Sequence, residues 1–394
     1  MAAVSSRPVR TAVVGTGGIA TSSHLAALRA QGHRVDLVAA VDPDATRLDA
    51  FRAAAALPAE PGSPAEAAPA WNVTGYRNLA DMLAAERPDL VLIGTPPALH
   101  RAQAVAALRA GAWVLCEKPY CLSLAEYDEI AAAEQDPAGP YASVVFQHRY
   151  GSGAVHAREQ LSTGALGRPL VAHCQTTWYR DTVYYAVPWR GRWATEGGGP
   201  SMGHGIHQMD LLLHLLGDWT EVRAMAGRLV HEVESEDVST ALVRFRSGAL
   251  ATVVNSVLSP DEVSRIRIDC ADATVELTHL YGHRNEDWVY TAAPQLREDP
   301  AAADRVRQWR TPAADQPSSH AAQLTAVLDA MQAGTRPPGG DQDARRTVEF
   351  IAALYKAAFT GRPVHAGEIT PADPYYSAMH GDHPDWAPRT EANA

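Results

Sequence analysis

Lysine is nearly absent from this chain. Of 34 basic residues, only Lys118 and Lys356 are lysine, and the rest are arginine. Arginine serves wherever a surface cation is wanted. A lysine that persists can mark a position needing a compact ammonium that exchanges its proton, where a planar guanidinium would not fit. Lys356 sits in an expected exposed helix and needs no such reading, so the surroundings of Lys118 must decide. Cysteine is scarce too: Cys116, Cys121, Cys174 and Cys270 are spaced like no zinc ribbon, and a disulfide framework is implausible in so long a chain. A reducing cytoplasm is the expected compartment. No run of about eighteen apolar residues occurs, so no membrane span is expected. Met1 to Arg10 lack the charged head, greasy middle and cleavage site of a secretory leader. Cations are outnumbered, and a net charge of −11 argues against nucleic acid as a partner.

What is present suits two ordinary domains with real cores: 394 residues, 46% of them apolar. Val9 to Val14 is an expected buried strand, followed by Gly15-Thr16-Gly17-Gly18-Ile19-Ala20 and an Ala/Leu-rich helix to about Gln31. Val35 to Val41 is a second strand ending in Asp42, and Ala45 to Ala55 a second helix. Ala56 to Trp71 interrupts with four prolines and is expected to be a surface insertion. Helices at 79–86, 100–110 and 124–134 then alternate with strands at 90–93, 113–116 and 143–146. This order predicts a parallel sheet. After Arg149 the strands lengthen and alternate, as at 170–178, 238–246 and 249–257. The fold class expected is an α/β Rossmann domain over 1–148 and an α+β domain over 149–394 with a large, mostly antiparallel open sheet. Two late helices, 321–333 and 344–360, are free to pack near the first domain. The last dozen residues are polar and expected to fray.

The glycine run has a specific physics. Gly15 permits a tight turn, Gly17 lets the backbone approach a pyrophosphate, and Ala20 allows close helix–strand packing. The helix start, with Gly18 and Ile19, offers N–H groups to the anion. Strand before, helix after and Asp42 closing the next strand supply the context that such a run needs. Asp42 is placed to accept from a ribose 2′-hydroxyl and to repel a 2′-phosphate, which favours NAD over NADP. Asp42-Pro43 also resembles a helix start, and Arg47 suits a 2′-phosphate, so NADP stays open.

Three further segments carry chemistry. Gly94-Thr95-Pro96-Pro97 with His100 falls at the carboxyl end of one strand, where open α/β sheets bind ligands. Glu117-Lys118-Pro119 ends the next. Gly197-Gly198-Gly199, Gly205, His207 and Asp210 open a later helix. In this order and spacing the chain resembles the glucose–fructose oxidoreductase / inositol dehydrogenase / MocA family. Asp343 to Val348 and Tyr355 extend the likeness nearly to the end. The resemblance implies a two-domain dehydrogenase whose substrate sits between the nicotinamide and the open sheet. It implies cofactor contacts at Thr95, Pro96, His100, Glu117 and Lys118, and at Arg149 of Gln147-His148-Arg149.

It also implies that Lys118 and His207 are catalytic. The chemistry agrees, because hydride leaves a carbinol carbon only as the hydroxyl proton is lost. An ammonium stabilises the developing alkoxide, and an imidazole accepts a proton near neutral pH. One departure stands out: Gly203 occupies the place, four residues before His207, where many members carry aspartate. His204 is the candidate substitute, or a contact to a substrate hydroxyl. Trp178, Tyr179, Trp189 and Arg190 belong to an aromatic and basic cluster suited to a sugar ring. His204, His207, Asp210 and His214 recur at helical spacing, but no metal is expected.

The function expected is NAD(P)-dependent oxidation or reduction at a secondary hydroxyl or ketone of a sugar, glycoside or cyclitol, by a homodimer or homotetramer. Two alternatives are a glycoside hydrolase or lyase that oxidises transiently and retains its cofactor, and a non-catalytic dinucleotide-binding regulator.

Overall fold

β-branched and aliphatic runs bounded by glycine and proline set the strands of the first unit. The computed structural model describes residues 7–58, 69–134, 136–340 and 342–388. Most of the proline-rich interruption and the final residues lie outside that range. The strands β1 (Val9–Val14), β2 (Val35–Val41), β3 (Thr74–Tyr76), β4 (Leu90–Ile93), β5 (Trp113–Cys116) and β6 (Ala142–Val144) form one parallel sheet in the order β3-β2-β1-β4-β5-β6. That order reverses direction between β1 and β4, which is the switch point where a Rossmann fold opens its ligand crevice.

The helix after β1 starts with a wide π turn, Ala20–His24, before continuing as Leu25–Ala30. Asn78 and Asp44 cap the helices Leu79–Glu86 and Ala45–Ala56 by accepting from first-turn N–H groups. The first unit takes in residues 1–121, 126–145 and 319–344. A later segment, 319–344, thus returns to this unit. Its helix His320–Ala333 puts Leu324, Val327 and Leu328 into one core with Leu28, Leu37 and Phe51.

The second unit takes in residues 122–125, 146–318 and 345–394. Its strands are β7 (Pro169–Tyr179), β8 (Trp219–Gly227), β9 (Val238–Phe245), β10 (Leu250–Ser256), β11 (Leu258–Cys270), β12 (Ala273–Thr278), β13 (Trp288–Ala292) and β14 (Val364–His365). They form an eight-stranded sheet in the order β13-β12-β11-β7-β10-β9-β8-β14. Every pair is antiparallel except β7 with β10. Strand alternation buries Ala241, Val243 and Phe245 on one face and leaves Leu242 on the other. The buried face carries the helix Ile206–Leu216, buried almost all round. No helix among the described residues is long and apolar enough to cross a membrane.

Candidate active site

The glycine turn is built as its sequence demands. Gly15 has φ +86, and a Cβ there would sit 2.8 Å from Gly94 and Thr95, so both conformation and space exclude a side chain. Gly17 and Gly18 differ: among the described residues nothing lies within 4 Å of a Cβ added at either. The protein itself does not require glycine there. The room left there suits the close approach of a pyrophosphate. Asp42 is buried behind the loop. Its Oδ2 accepts from the Thr16 N–H at 2.8 Å and hydroxyl at 3.0 Å, and its Oδ1 accepts from the Asp44 N–H at 2.9 Å. Asp42 therefore braces the glycine loop, while Asp44 caps the following helix. Arg47 pairs with Asp44 at 3.5 Å.

The ends of β4 and β5 are tied together by His100. Its Nδ1 lies 2.7 Å from the Pro119 carbonyl and its Nε2 2.8 Å from that of Thr95. The ring is fully buried, and burial pulls its pKa down against the opposing effect of the two carbonyls. His100 thus staples the two loops together. Thr95 donates to Gln103 at 2.6 Å, and Pro96 is exposed at the strand end.

Glu117 is likewise turned inward. His24 Nε2 lies 3.0 Å, and His320 Nε2 2.9 Å, from the same Glu117 oxygen. Burial pushes the Glu117 carboxyl up, but the two imidazoles win and hold it well below the usual carboxylate range. These three residues place ligand atoms within 4.8 Å of one another, a spacing a metal ion could use. The same contacts are also what a buried carboxylate needs for satisfaction. Lys118 follows, half-buried, at the mouth of β5. The wide turn before Leu25 aims His24 at Glu117, and His320 arrives from the returning helix. The sequence reading missed both histidines. His24 could have been found one helical turn beyond the glycine run, whereas nothing local signals His320.

In the second unit the glycine run is a packing requirement. A Cβ at Gly198 would overlap the Tyr355 hydroxyl, one at Gly199 the Glu236 carbonyl, and one at Gly205 the Asn255 amide. Glu236 accepts from the N–H groups of Gly199 at 3.1 Å and Ser201 at 3.0 Å and from the Tyr355 hydroxyl at 3.0 Å. This clamp fixes the start of the short helix Pro200–Gly203, just ahead of the helix Ile206–Leu216 that carries His207. Asp210 is fully buried, and Arg149 grips it through Nε at 2.6 Å and through Nη2. Thr347 adds a hydroxyl at 3.0 Å. Arg149 is therefore tied to Asp210 within the second unit. The helical spacing of His204, His207, Asp210 and His214 has its carboxylate occupied in the same way.

A cluster of rings gathers His207 and His204. The His207 ring stacks on His148 with centroids 4.8 Å apart and meets Tyr281 edge-on at 5.8 Å. Tyr281 meets Trp178 at 5.5 Å, and Trp178 meets His204 at 5.1 Å. Trp178 is anchored by its Nε1 donating to Ser264 at 3.0 Å. Arg190 lies over both Tyr184 and Trp189, at 3.8 and 4.4 Å from their ring centroids. Tyr179 is about half exposed, and the strand period turns it away from Trp178. Tyr281 and His283, on the connection from β12 to β13, join the cluster from distant sequence without having been expected there, and His148 joins it from the Gln147-His148-Arg149 segment.

Comparison with known proteins follows this geometry. Residues 9–141 match the family model described as "Oxidoreductase family, NAD-binding Rossmann fold". Residues 154–276 match "GFO/IDH/MocA C-terminal domain". The chain is 24% identical over 387 residues to a D-glucoside 3-dehydrogenase of Escherichia coli, covering 92% of this chain and 99% of the relative. It is 27% identical over 313 residues to a D-apiose dehydrogenase of Paraburkholderia graminis, covering 73% and 76%. Among solved structures, the WlbA dehydrogenase of Bordetella pertussis in complex with NADH and UDP-GlcNAcA superposes with a TM-score of 0.76 at 25% identity, covering 91% of this chain and 98% of that one.

Proposed function

The chain belongs to the GFO/IDH/MocA family of NAD-binding oxidoreductases, and we propose that it oxidises a secondary hydroxyl of a neutral sugar, glycoside or cyclitol. The observation that carries this reading is the cradle at Gly17 and Gly18, open where the protein needs no glycine, with Lys118 at the end of β5 in the same unit. NAD held there would supply the hydride acceptor. Gly15, Gly17, Gly18 and Ile19 form the cradle, Thr95 and Pro96 border it, and Asp42 adds the charge that selects NAD over NADP.

Lys118 stabilises the alkoxide that forms as the carbinol proton leaves, and His207 takes that proton up. One carbinol C–H, lost as hydride, and one O–H, lost as a proton, become a carbonyl. Trp178, Trp189 and Arg190 hold the ring of the substrate. The preference for a neutral substrate follows from charge: Arg180 pairs with Glu262 at 2.9 Å, Arg190 with Glu196 at 3.5 Å and Arg192 with Glu234 at 4.0 Å. Each cation bordering the ring cluster already has its own carboxylate, so a uronate or phosphosugar gains little there. The outward face of the second sheet exposes Met225, Leu242, Leu250 and Val289, and a second copy of the chain covers it. The four free thiols suit a reducing compartment such as the cytoplasm.

The test is incubation with NAD and a panel of neutral glycosides, following reduced nicotinamide and released aglycone together. Accumulating NADH without aglycone release supports the dehydrogenase. Aglycone release without net NADH would identify a hydrolase or lyase, and NAD binding without either would identify a regulator.

A further inference from the structure

Gly203 is glycine for no reason of backbone or space. It lies at the end of the short helix Pro200–Gly203 without a positive φ. Outside that helix, the one described atom within 4 Å of a Cβ at 203 is Glu196 Oε1, at 3.5 Å, which is ordinary contact. A side chain fits there. A carboxylate would point at another carboxylate, so charge is what position 203 cannot accommodate.

Glu196 is buried, with its Oε2 accepting from the Gly191 N–H at 2.6 Å and its Oε1 3.5 Å from Arg190 Nη1. Arg190 in turn donates to the Tyr184 hydroxyl, and that oxygen lies 3.3 Å from His204 Nε2. His204 enters the ring cluster that holds His207 through Trp178 and Tyr281.

We propose that Glu196 is the positioning acid of this site, filling the role left open at Gly203 and orienting His204 through Arg190 and Tyr184. This inference rests on the reading of the ring cluster as the sugar-handling part of the enzyme. The direction of the relay follows from donor count. A guanidinium only donates, so the Tyr184 oxygen accepts from Arg190. Arg180, itself paired with Glu262, is a second guanidinium against the same ring, 5.4 Å from its centroid. The Tyr184 O–H is then directed to His204 Nε2, and the ring proton of His204 stays on Nδ1. Burial, and then the charge of Glu196, push the Tyr184 phenol up, so it remains a donor across the neutral range.

Two readouts test this with the full-length protein. The first needs no turnover. Side-chain nitrogen NMR of His204 is expected to report the Nδ1-protonated tautomer. In Glu196→Gln, where the charge that anchors Arg190 is lost, the His204 nitrogen signals are expected to shift. His204 signals identical in wild type and E196Q overturn the proposal, whether or not any sugar is oxidised. A shifted His204 in a protein that oxidises no glycoside would instead count against the dehydrogenase reading and leave the relay standing.

The second readout is exchange of the acid. Glu196→Ala lowers kcat by roughly 10- to 100-fold with little change in NAD affinity. Gly203→Asp alone impairs the enzyme by opposing two carboxylates. Combining G203D with E196A restores at least part of the lost kcat. A double variant no better than E196A, or an E196A enzyme with unchanged kcat and pH profile, contradicts the assignment.

Discussion

Thr16 gives both its backbone N–H and its hydroxyl to Asp42 Oδ2, at 2.8 and 3.0 Å. The acid that ends β2 is thus part of the glycine loop's own scaffold before any ribose reaches it. Asp42→Asn separates the two roles, because asparagine keeps an acceptor for Thr16 but loses the charge. The expected result is a loop that still binds NAD and a ratio of NADP to NAD affinity raised by about tenfold, equivalent to ~1.4 kcal/mol. Fluorescence titration with both cofactors measures it. Asp42→Ala removes the brace as well and weakens both.

Arg149 and Asp210 form a buried ion pair whose side chains are 4% and 0% exposed. Removing one partner leaves the other charged in the interior, which costs about 3–5 kcal/mol. Arg149→Met is expected to lower the unfolding free energy from urea titration by that amount without a specific loss of NAD affinity in the protein that remains folded. A selective loss of cofactor binding with unchanged stability would return Arg149 to the cofactor site.

His283 lies against His148, with ring centroids 4.4 Å apart, and burial pulls its pKa from 6.5 down to about 4. It stays neutral in the folded protein while the unfolded chain takes up a proton as pH falls through 6.5. Its contribution is complete above that value and is lost progressively as pH falls to about 4. The loss amounts to roughly 3 kcal/mol at most. Unfolding midpoints between pH 7.5 and 4.5 are expected to fall less steeply in His283→Gln than in wild type. Parallel slopes would show that His283 does not carry the difference.

Periodicity made the first sheet legible. Val9–Val14, Val35–Val41 and Leu90–Ile93 are short apolar runs punctuated by glycine, and each became a strand with the expected limits. Thr74–Tyr76 was not legible, because three residues that include a glycine carry no period. The glycine motifs alone did not say which glycines answer to the protein's own packing and which leave open space. Only the neighbours of Gly15, Gly17 and Gly199 separate those cases. His100, Glu117 and Arg149 show the complementary limit. The resemblance implied cofactor contacts there, but no local pattern showed that His100 would bridge two carbonyls, Glu117 face two imidazoles or Arg149 pair with a buried carboxylate. Partners such as His320 and Asp210 are distant in sequence, and no local pattern announces them.

The central claim is that Lys118 handles the charge of the departing carbinol proton. Its most direct test is the rate of NADH formation from a neutral glycoside by wild type, Lys118→Ala and Lys118→Arg, each with its NAD affinity measured separately. The account predicts that kcat falls by about 10²–10⁴ in both variants while NAD still binds. An enzyme that turns over at the wild-type rate without Lys118 would contradict it.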